Sequence, residues 1–379
     1  MGSRANSTCL RDNVSDYCSI NGNSYLKSEI ANLSWREYIS FSLYQMPNKL
    51  YKFYPNTIDP NNGRNYSQEA LKNNTVFLQS PLRFDDPYDS TLYLDEREFH
   101  EVRLKYYADL CGFQYDKTWD IDRLVHEFGL YLLPHIHNQS EWESLFHVDS
   151  SQDDLLNKSH QVFELDLCNE ILRNLQKEDV LQIAFYHALH QEFLSKQTDL
   201  IQKFRVTCFA TTPFSMLMWA HYADSHKGFC VEYEIPTPDE QNITLLQNLM
   251  PVIYSDERVS VLNECLADLI DPGVSEDTVG AIYKYGLLTK SIDWKYQNEW
   301  RLISLDTMLT DESYNCIFFP ISKVYIGAKM PDGKRREIIK ICNSRSIPST
   351  CVFPAFSSFS MQECTGKMLN PNCIYKKLS

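Results

Sequence analysis

The spacing of apolar residues changes twice along this chain, and those two changes limit the architectures open to it. Between about Leu94 and Lys203 apolar residues recur three and four positions apart, in "EREFHEVRLKYYADLCGF", "TWDIDRLVHEFGLYLL" and "KEDVLQIAFYHALHQEFLSKQ". That spacing puts them on one face of each helix. On either side, short runs rich in β-branched and aromatic residues ("KLYKFYP", "TVFLQSP", "FRVTCFAT", "FCVEYEI", "SKVYIGAKM", "STCVFPAF") read as strands, with helical segments between them. The expectation is an α+β fold: a mixed sheet over residues 47–356, interrupted by a helical insertion at 94–203. Residues 1–46 are read as a polar, frayed segment followed by one helix ending at Pro47, and 357–379 as a tail without a period.

The 379 residues, 43% of them hydrophobic, suffice for a large core. A formal net charge of −14 argues against general attraction to nucleic-acid phosphates. The one basic cluster, "DGKRRE" at Asp332–Glu337, is interrupted by acids and reads as a solvated helix start. Twelve cysteines stand singly, with no C-x-x-C and no zinc-ribbon spacing, a pattern suited to a reducing cytoplasm and to no metal. No run of eighteen apolar residues occurs, and the opening "MGSRANSTCLRDN" lacks the apolar core of a signal peptide, so a cytoplasmic protein that does not enter membranes is expected.

Read as a strand, "WKYQNEWRLISL" places Gln297, Glu299 and Arg301 on one side and Asn298, Trp300 and Leu302 on the other. Two readings compete: Glu299 pairs with a cation such as Arg301 on a solvated face, or Gln297 and Glu299 both address a ligand. "CFATTPF" puts Thr211 at a strand end and Thr212 at the N-cap of a helix, with Pro213 in its first turn; the hydroxyls suit capping or a ligand beside exposed amides. Lys52, between Tyr51 and Phe53, either snorkels to solvent or meets a phosphate. His187, His190 and Glu192 form an ordinary polar stripe in the absence of a third ligand, and His221 and His226 suit the end of a helix dipole. The turn "RFDDPYDS" has Asp chemistry. Without G-x-G-x-x-G, a Walker lysine loop or G-x-S-x-G, Rossmann, P-loop and α/β-hydrolase readings lose their main support.

"LYKFY", "VFLQSPLRFDDPYDS", "MLMWAHYADSHKGFCVEYE" and "KSIDWKYQNEWRLI", in this order, resemble a bacterial family known mainly as a domain of unknown function. Its patterns are F-N-D-P-F-D, W-x-H-Y-A-x-x-H-x-G and W-x-Y-E-x-E-W-R. The likeness spans roughly 48–356 and departs at Asp85, for Asn, and Gln297, for Glu. The order of a basic residue on an early strand, a Ser/Thr pair on a middle strand and Q-x-E heading a late strand is more distantly similar to ADP-ribosyltransferases. That similarity implies a split mixed sheet of their kind and NAD as substrate. It implies Glu299 as catalytic glutamate, Gln297 as the residue that helps choose the acceptor, and Lys52, Tyr51, Thr211, Thr212, Trp219, His221 and Tyr222 around the dinucleotide. The implied partner is a protein or nucleic-acid acceptor in a bacterial conflict or phage-defence setting, and the insertion would serve self-association or another protein. Two rivals remain: a nucleotide-sensing module without turnover, and a nucleic-acid-processing protein with "FDDPYD" and Glu299 as an acidic metal site.

Overall fold

The computed structural model describes residues 15–132, 189–195, 198–199, 201–262, 276–305 and 314–364. Two compact units divide the chain: Met1–Leu92, Ile201–Val259 and Pro272–Ser379 form the first, Tyr93–Leu200 and Ser260–Asp271 the second. The second unit includes a segment, 260–271, that the 94–203 reading did not assign to it. The class is α+β, with helices and mixed sheets. Among the described residues no helix is long and apolar enough to cross a membrane.

Residues 15–46 differ from the expectation of a frayed segment followed by one helix, and residues 1–14 lie outside the described residues. Strands β1 (Tyr17–Ile20) and β2 (Asn23–Leu26) form a hairpin over Asn21 and Gly22, both at positive φ, the backbone a two-residue hairpin turn demands. Helices α1 (Lys27–Ala31) and α2 (Trp35–Tyr44) follow, broken at Ser34. There the Ser34 hydroxyl accepts from the Glu37 amide, and Glu37 accepts in return from the Ser34 amide, a capping box that starts a new helix. Next come β3 (Lys49–Tyr54), α3 (Tyr66–Asn73) and β4 (Thr75–Phe77). The second unit contributes α4 (Glu96–Leu110) and α5 (Ile121–Leu132), whose inward stripes, Leu104, Tyr107, Leu124 and Phe128 among them, make their own core.

The first unit resumes with β5 (Phe204–Ala210), α6 (Met216–Tyr222), β6 (Phe229–Glu234), α7 (Ile243–Gln247), β7 (Leu249–Pro251) and β8 (Ile253–Ser255). After α8 (Glu276–Ala281), which runs on as a π-helix over Ile282–Leu287, come β9 (Thr289–Ser291), a 3₁₀ helix (Ile292–Gln297) and β10 (Glu299–Leu305). The chain then forms β11 (Asn315–Ile317), β12 (Ile321–Ile326), α9 (Asp332–Ser344), β13 (Ser349–Pro354) and β14 (Met361–Glu363). The last strand pairs with β13, so part of the stretch expected as a tail without a period contributes a sheet edge; residues 365–379 lie outside the described residues.

Eight strands form one mixed sheet in the order β14-β13-β12-β6-β3-β5-β10-β7; β2-β1-β8-β9 and β11-β4 are smaller sheets. Register sorts side chains between two faces. Leu50, Tyr54, Phe209, Val231, Trp300, Leu302 and Val324 share one, packed with Leu71 of α3 and Ile338 of α9. Tyr51, Phe53, Ala210, Cys230 and Tyr325 share the other, under Met218 and Trp219 of α6.

The turn between α6 and β6 explains much of the "HYADSHKG" stretch. Asp224, Ser225 and His226 all have positive φ, and the His226 amide donates to Trp219 O at 3.0 Å. A Cβ on Gly228 would lie 2.1 Å from Tyr54 O, so only glycine lets β6 pass β3 there. Gly228→Ala is expected to lower stability by about 1–3 kcal/mol, read as a reduced urea midpoint at an unchanged m-value.

Candidate functional site

On the second face of the large sheet, at the β10 end, four buried charged side chains close a ring. Lys290 of β9 donates to Asp89 Oδ2 at 2.8 Å and to Glu299 Oε2 at 3.0 Å. Arg301 of β10 donates through Nε to Glu299 Oε1 at 2.6 Å and through Nη2 to Asp89 Oδ2 at 2.9 Å. Asp89, Lys290, Glu299 and Arg301 are each no more than 6% exposed. Moving one ion out of water costs several kcal/mol, so such a set survives only with every charge balanced and hydrogen-bonded. Two cations and two anions meet that condition.

Local structure brings each member in. Asp89 and Ser90 close the "RFDDPYDS" stretch, and Ser90 is buried at φ 56°, a left-handed conformation. Its hydroxyl accepts from Arg301 Nη1 at 2.8 Å and donates to Asp89 Oδ1 at 3.1 Å. The π-helical turn ends at Leu287, whose carbonyl accepts from Arg301 Nη1 at 2.5 Å, an orphan helix-end acceptor satisfied by a guanidinium. The Glu299 amide donates to the Tyr254 hydroxyl at 2.9 Å.

Gln297 and Glu299 are not two positions of one strand. Gln297 ends the 3₁₀ helix, Asn298 turns the chain at φ 41°, and β10 begins at Glu299. Asparagine suits that left-handed corner, and its amide donates to Thr211 Oγ1 at 2.6 Å, which ties the corner to the end of β5. The two side chains still converge because Lys290 reaches both, donating to Gln297 Oε1 at 2.9 Å. Gln297 Nε2 in turn donates to the Tyr222 hydroxyl at 2.7 Å. Tyr222 is 40% exposed, so the buried ring reaches the surface along Lys290, Gln297 and Tyr222. Trp294 and Tyr296 stand half-buried beside it, with Lys290 Nζ 5.2 Å from the Trp294 ring centre.

Electrostatics follow from the pairing. Burial pushes the Glu299 carboxyl up, but Arg301 and then Lys290 outweigh it and hold the group well below its ordinary 4.5. Burial opposes the charge on Lys290, and Glu299 foremost, with Asp89, raises its pKa above the ordinary 10.5. Burial pushes the Tyr222 hydroxyl up to about 12.

Several expected ligand contacts take other roles. Lys52 lies on the opposite face of the sheet from Glu299. It pairs across with Val231, donates to Thr207 Oγ1 at 2.7 Å and Cys208 O at 3.2 Å, and sits near the Tyr54 and Phe209 rings. The strand alternation that pointed Lys52 away from Tyr51 also points it away from Glu299, so the expected shared pocket is corrected. Trp219 is fully buried against Phe53, its indole donating to Pro213 O at 2.7 Å, and belongs to the core rather than to a stacking surface. Tyr51 is buried beside Glu232; burial and then that carboxylate push its pKa up. Ser215, not Thr212, caps α6, accepting from the Met218 amide; Thr212 Oγ1 accepts from the Phe214 amide, and Pro213 precedes the helix. His221 is exposed beside Tyr222.

The acidic metal reading of "FDDPYD" with Glu299 meets a different arrangement. Asp89 and Glu299 do come together, yet Lys290 and Arg301 bridge them, and that pairing already neutralises the charge a divalent ion would need. Sequence reasoning did not pick out Asp89, Lys290 or Arg301 as one site. The available signal was that each sits in a stretch quoted for the family resemblance. In the second unit Glu192 engages Arg103 and Tyr107, and His190 meets Glu96 and His100; His187 lies outside the described residues.

Residues 218–302 match the family described as "Protein of unknown function (DUF2971)". The matched span holds Tyr222, Lys290, Gln297, Glu299 and Arg301, while Asp89 lies outside it. No curated protein and no solved structure matches the chain.

Arg301→Leu leaves two buried carboxylates sharing Lys290 and is expected to cost about 3–5 kcal/mol in urea unfolding. Because the folded pKa of Glu299 is depressed, its contribution is full above its ordinary 4.5 and is lost as pH falls below it. Unfolding midpoints measured from about pH 7 to about pH 3 should therefore fall more steeply for the wild type than for Glu299→Gln.

Proposed function

We propose that the first unit binds NAD and breaks its nicotinamide–ribose bond, passing ADP-ribose to a macromolecular acceptor or to water. The observation that carries this reading is a buried glutamate at the head of β10 whose pKa Arg301 and Lys290 hold well below its ordinary value, joined through Lys290 to Gln297 and on to the Tyr222 hydroxyl. Cleavage builds positive charge on the ribose, and a fixed carboxylate near the 2′-hydroxyl stabilises that charge as it develops. Glu299 would act as an electrostatic stabiliser and hydrogen-bond acceptor. A carboxyl held so far below its ordinary value does not shuttle protons near neutrality. The neighbouring strands β3, β5 and β10 carry the early, middle and late segments that the comparison with ADP-ribosyltransferases picked out, which supports the same reading.

The register requires one change to that reading. Lys52 is across the sheet, so in this reading the cation nearest the reacting carboxylate is Lys290, 3.0 Å from Glu299. In this reading an acceptor approaches beside Gln297, which is tied to half-exposed Tyr222. A second reading, dinucleotide sensing without turnover, is favoured by one specific feature: both Glu299 oxygens already accept from cations in the ring.

Nicotinamide release from NAD by the purified chain is expected, undiminished by EDTA and reduced at least about 10²-fold in Glu299→Gln. NAD binding without release supports the sensing reading, and release that ignores Glu299→Gln, or no binding at all, sinks the transferase reading.

A further inference from the structure

The second unit holds a separate cluster of donors. Helix α4 starts at Glu96, its N-cap Asp95 accepting from the Glu98 amide at 2.9 Å, so the first turn is anchored. Glu96 and His100 are four residues apart and share a helix face. His190 approaches the same point from the 189–195 segment: its Nδ1 lies 2.6 Å from Glu96 Oε1, and His100 Nε2 lies 3.7 Å from that same oxygen. All three donor atoms fall within 4.8 Å of one another.

We propose that Glu96, His100 and His190 bind a divalent first-row transition ion of the zinc class, with a fourth position open to the adjoining cavity. Two imidazoles and one carboxylate are a donor set that zinc accepts when one position stays free for water. Donors about 2.1 Å from a tetrahedral ion stand about 3.4 Å from each other, so the His100 spacing already fits. The His190 contact has to lengthen by less than an ångström, which a shift of the half-exposed Glu96 side chain supplies.

The surroundings hold the rings in place. His190 stacks over Phe193 with centroids 6.2 Å apart, and His100 meets Phe99 and Phe193 edge-on, each at 6.2 Å. The two imidazoles stand nearly perpendicular, 81° apart, at 6.5 Å. Glu96 and His100 line a cavity of about 700 Å³ together with Asp95, Ile121, Asp122 and Phe193.

The full chain, stripped with a chelator and dialysed, should take up one equivalent of Zn²⁺ in competition with a chelating dye. Affinity should drop at least about 10-fold in His190→Ala and Glu96→Gln. Both positions are half-exposed, so these variants keep the test valid if buried His100→Ala fails to fold, and circular dichroism checks each. Exposed His126→Ala should bind as the wild type does. Co²⁺ in place of zinc should show tetrahedral visible bands without a thiolate charge-transfer band, which separates this site from the free cysteines, Cys111 of the same unit among them. Absent stoichiometric uptake, uptake unchanged in both half-exposed variants, or a thiolate band overturns the proposal.

Discussion

Mutual neutralisation of four buried charges is the constraint on which the first unit turns. Asp89, Lys290, Glu299 and Arg301 come from a loop, the edge strand of a small sheet and the next-to-last strand of the large one, and none of them is tolerable in the interior without the others. Arg301 alone binds Asp89, Ser90, Glu299 and the Leu287 carbonyl, so the planar fork of one guanidinium joins the "RFDDPYDS" loop, the π-helical turn and β10. A lysine there would be a poor substitute, because a compact ammonium cannot address four acceptors in those directions.

The same ring also sets the titration of Glu299. Burial alone would raise its pKa; Arg301 and then Lys290 outweigh that and hold the Glu299 carboxyl well below its ordinary value. Its contact with the surface is indirect, by way of Lys290, Gln297 and the Tyr222 hydroxyl. The sheet itself separates two lysines that the sequence could not tell apart. Lys290 faces the carboxylates, and Lys52 faces the aromatic layer of Tyr54 and Phe209, where burial pushes its ammonium pKa down. Each unit thus carries its own polar cluster, a closed neutral ring in the first and a histidine–carboxylate group in the second.

Local rules account for many elements directly. Alternation located β3, β5, β6, β10, β12 and β13, and the helical period located α4 and α5. They failed where a turn residue overrode the period. The Ser34 capping box split one expected helix into two, Ser215 took the cap expected of Thr212, and Asn298 placed a left-handed corner inside an expected strand. Strands β1 and β14 escaped notice because they are short and polar on one face; pairing with neighbours, not their own pattern, makes them strands.

By itself the sequence determined the class of fold, that Glu299 lies on a strand and that Gln297 stands close to it in the chain. These depend on periodicity and on chain proximity, which residues a few positions apart express. Tertiary structure alone decided what Glu299 is paired with, which lysine faces it, and that Trp219 is core. The Arg301–Asp89 pair spans 212 positions, and no local pattern records such a distance. The partner of a buried charge is set by which strands become neighbours, and that is a property of the folded sheet.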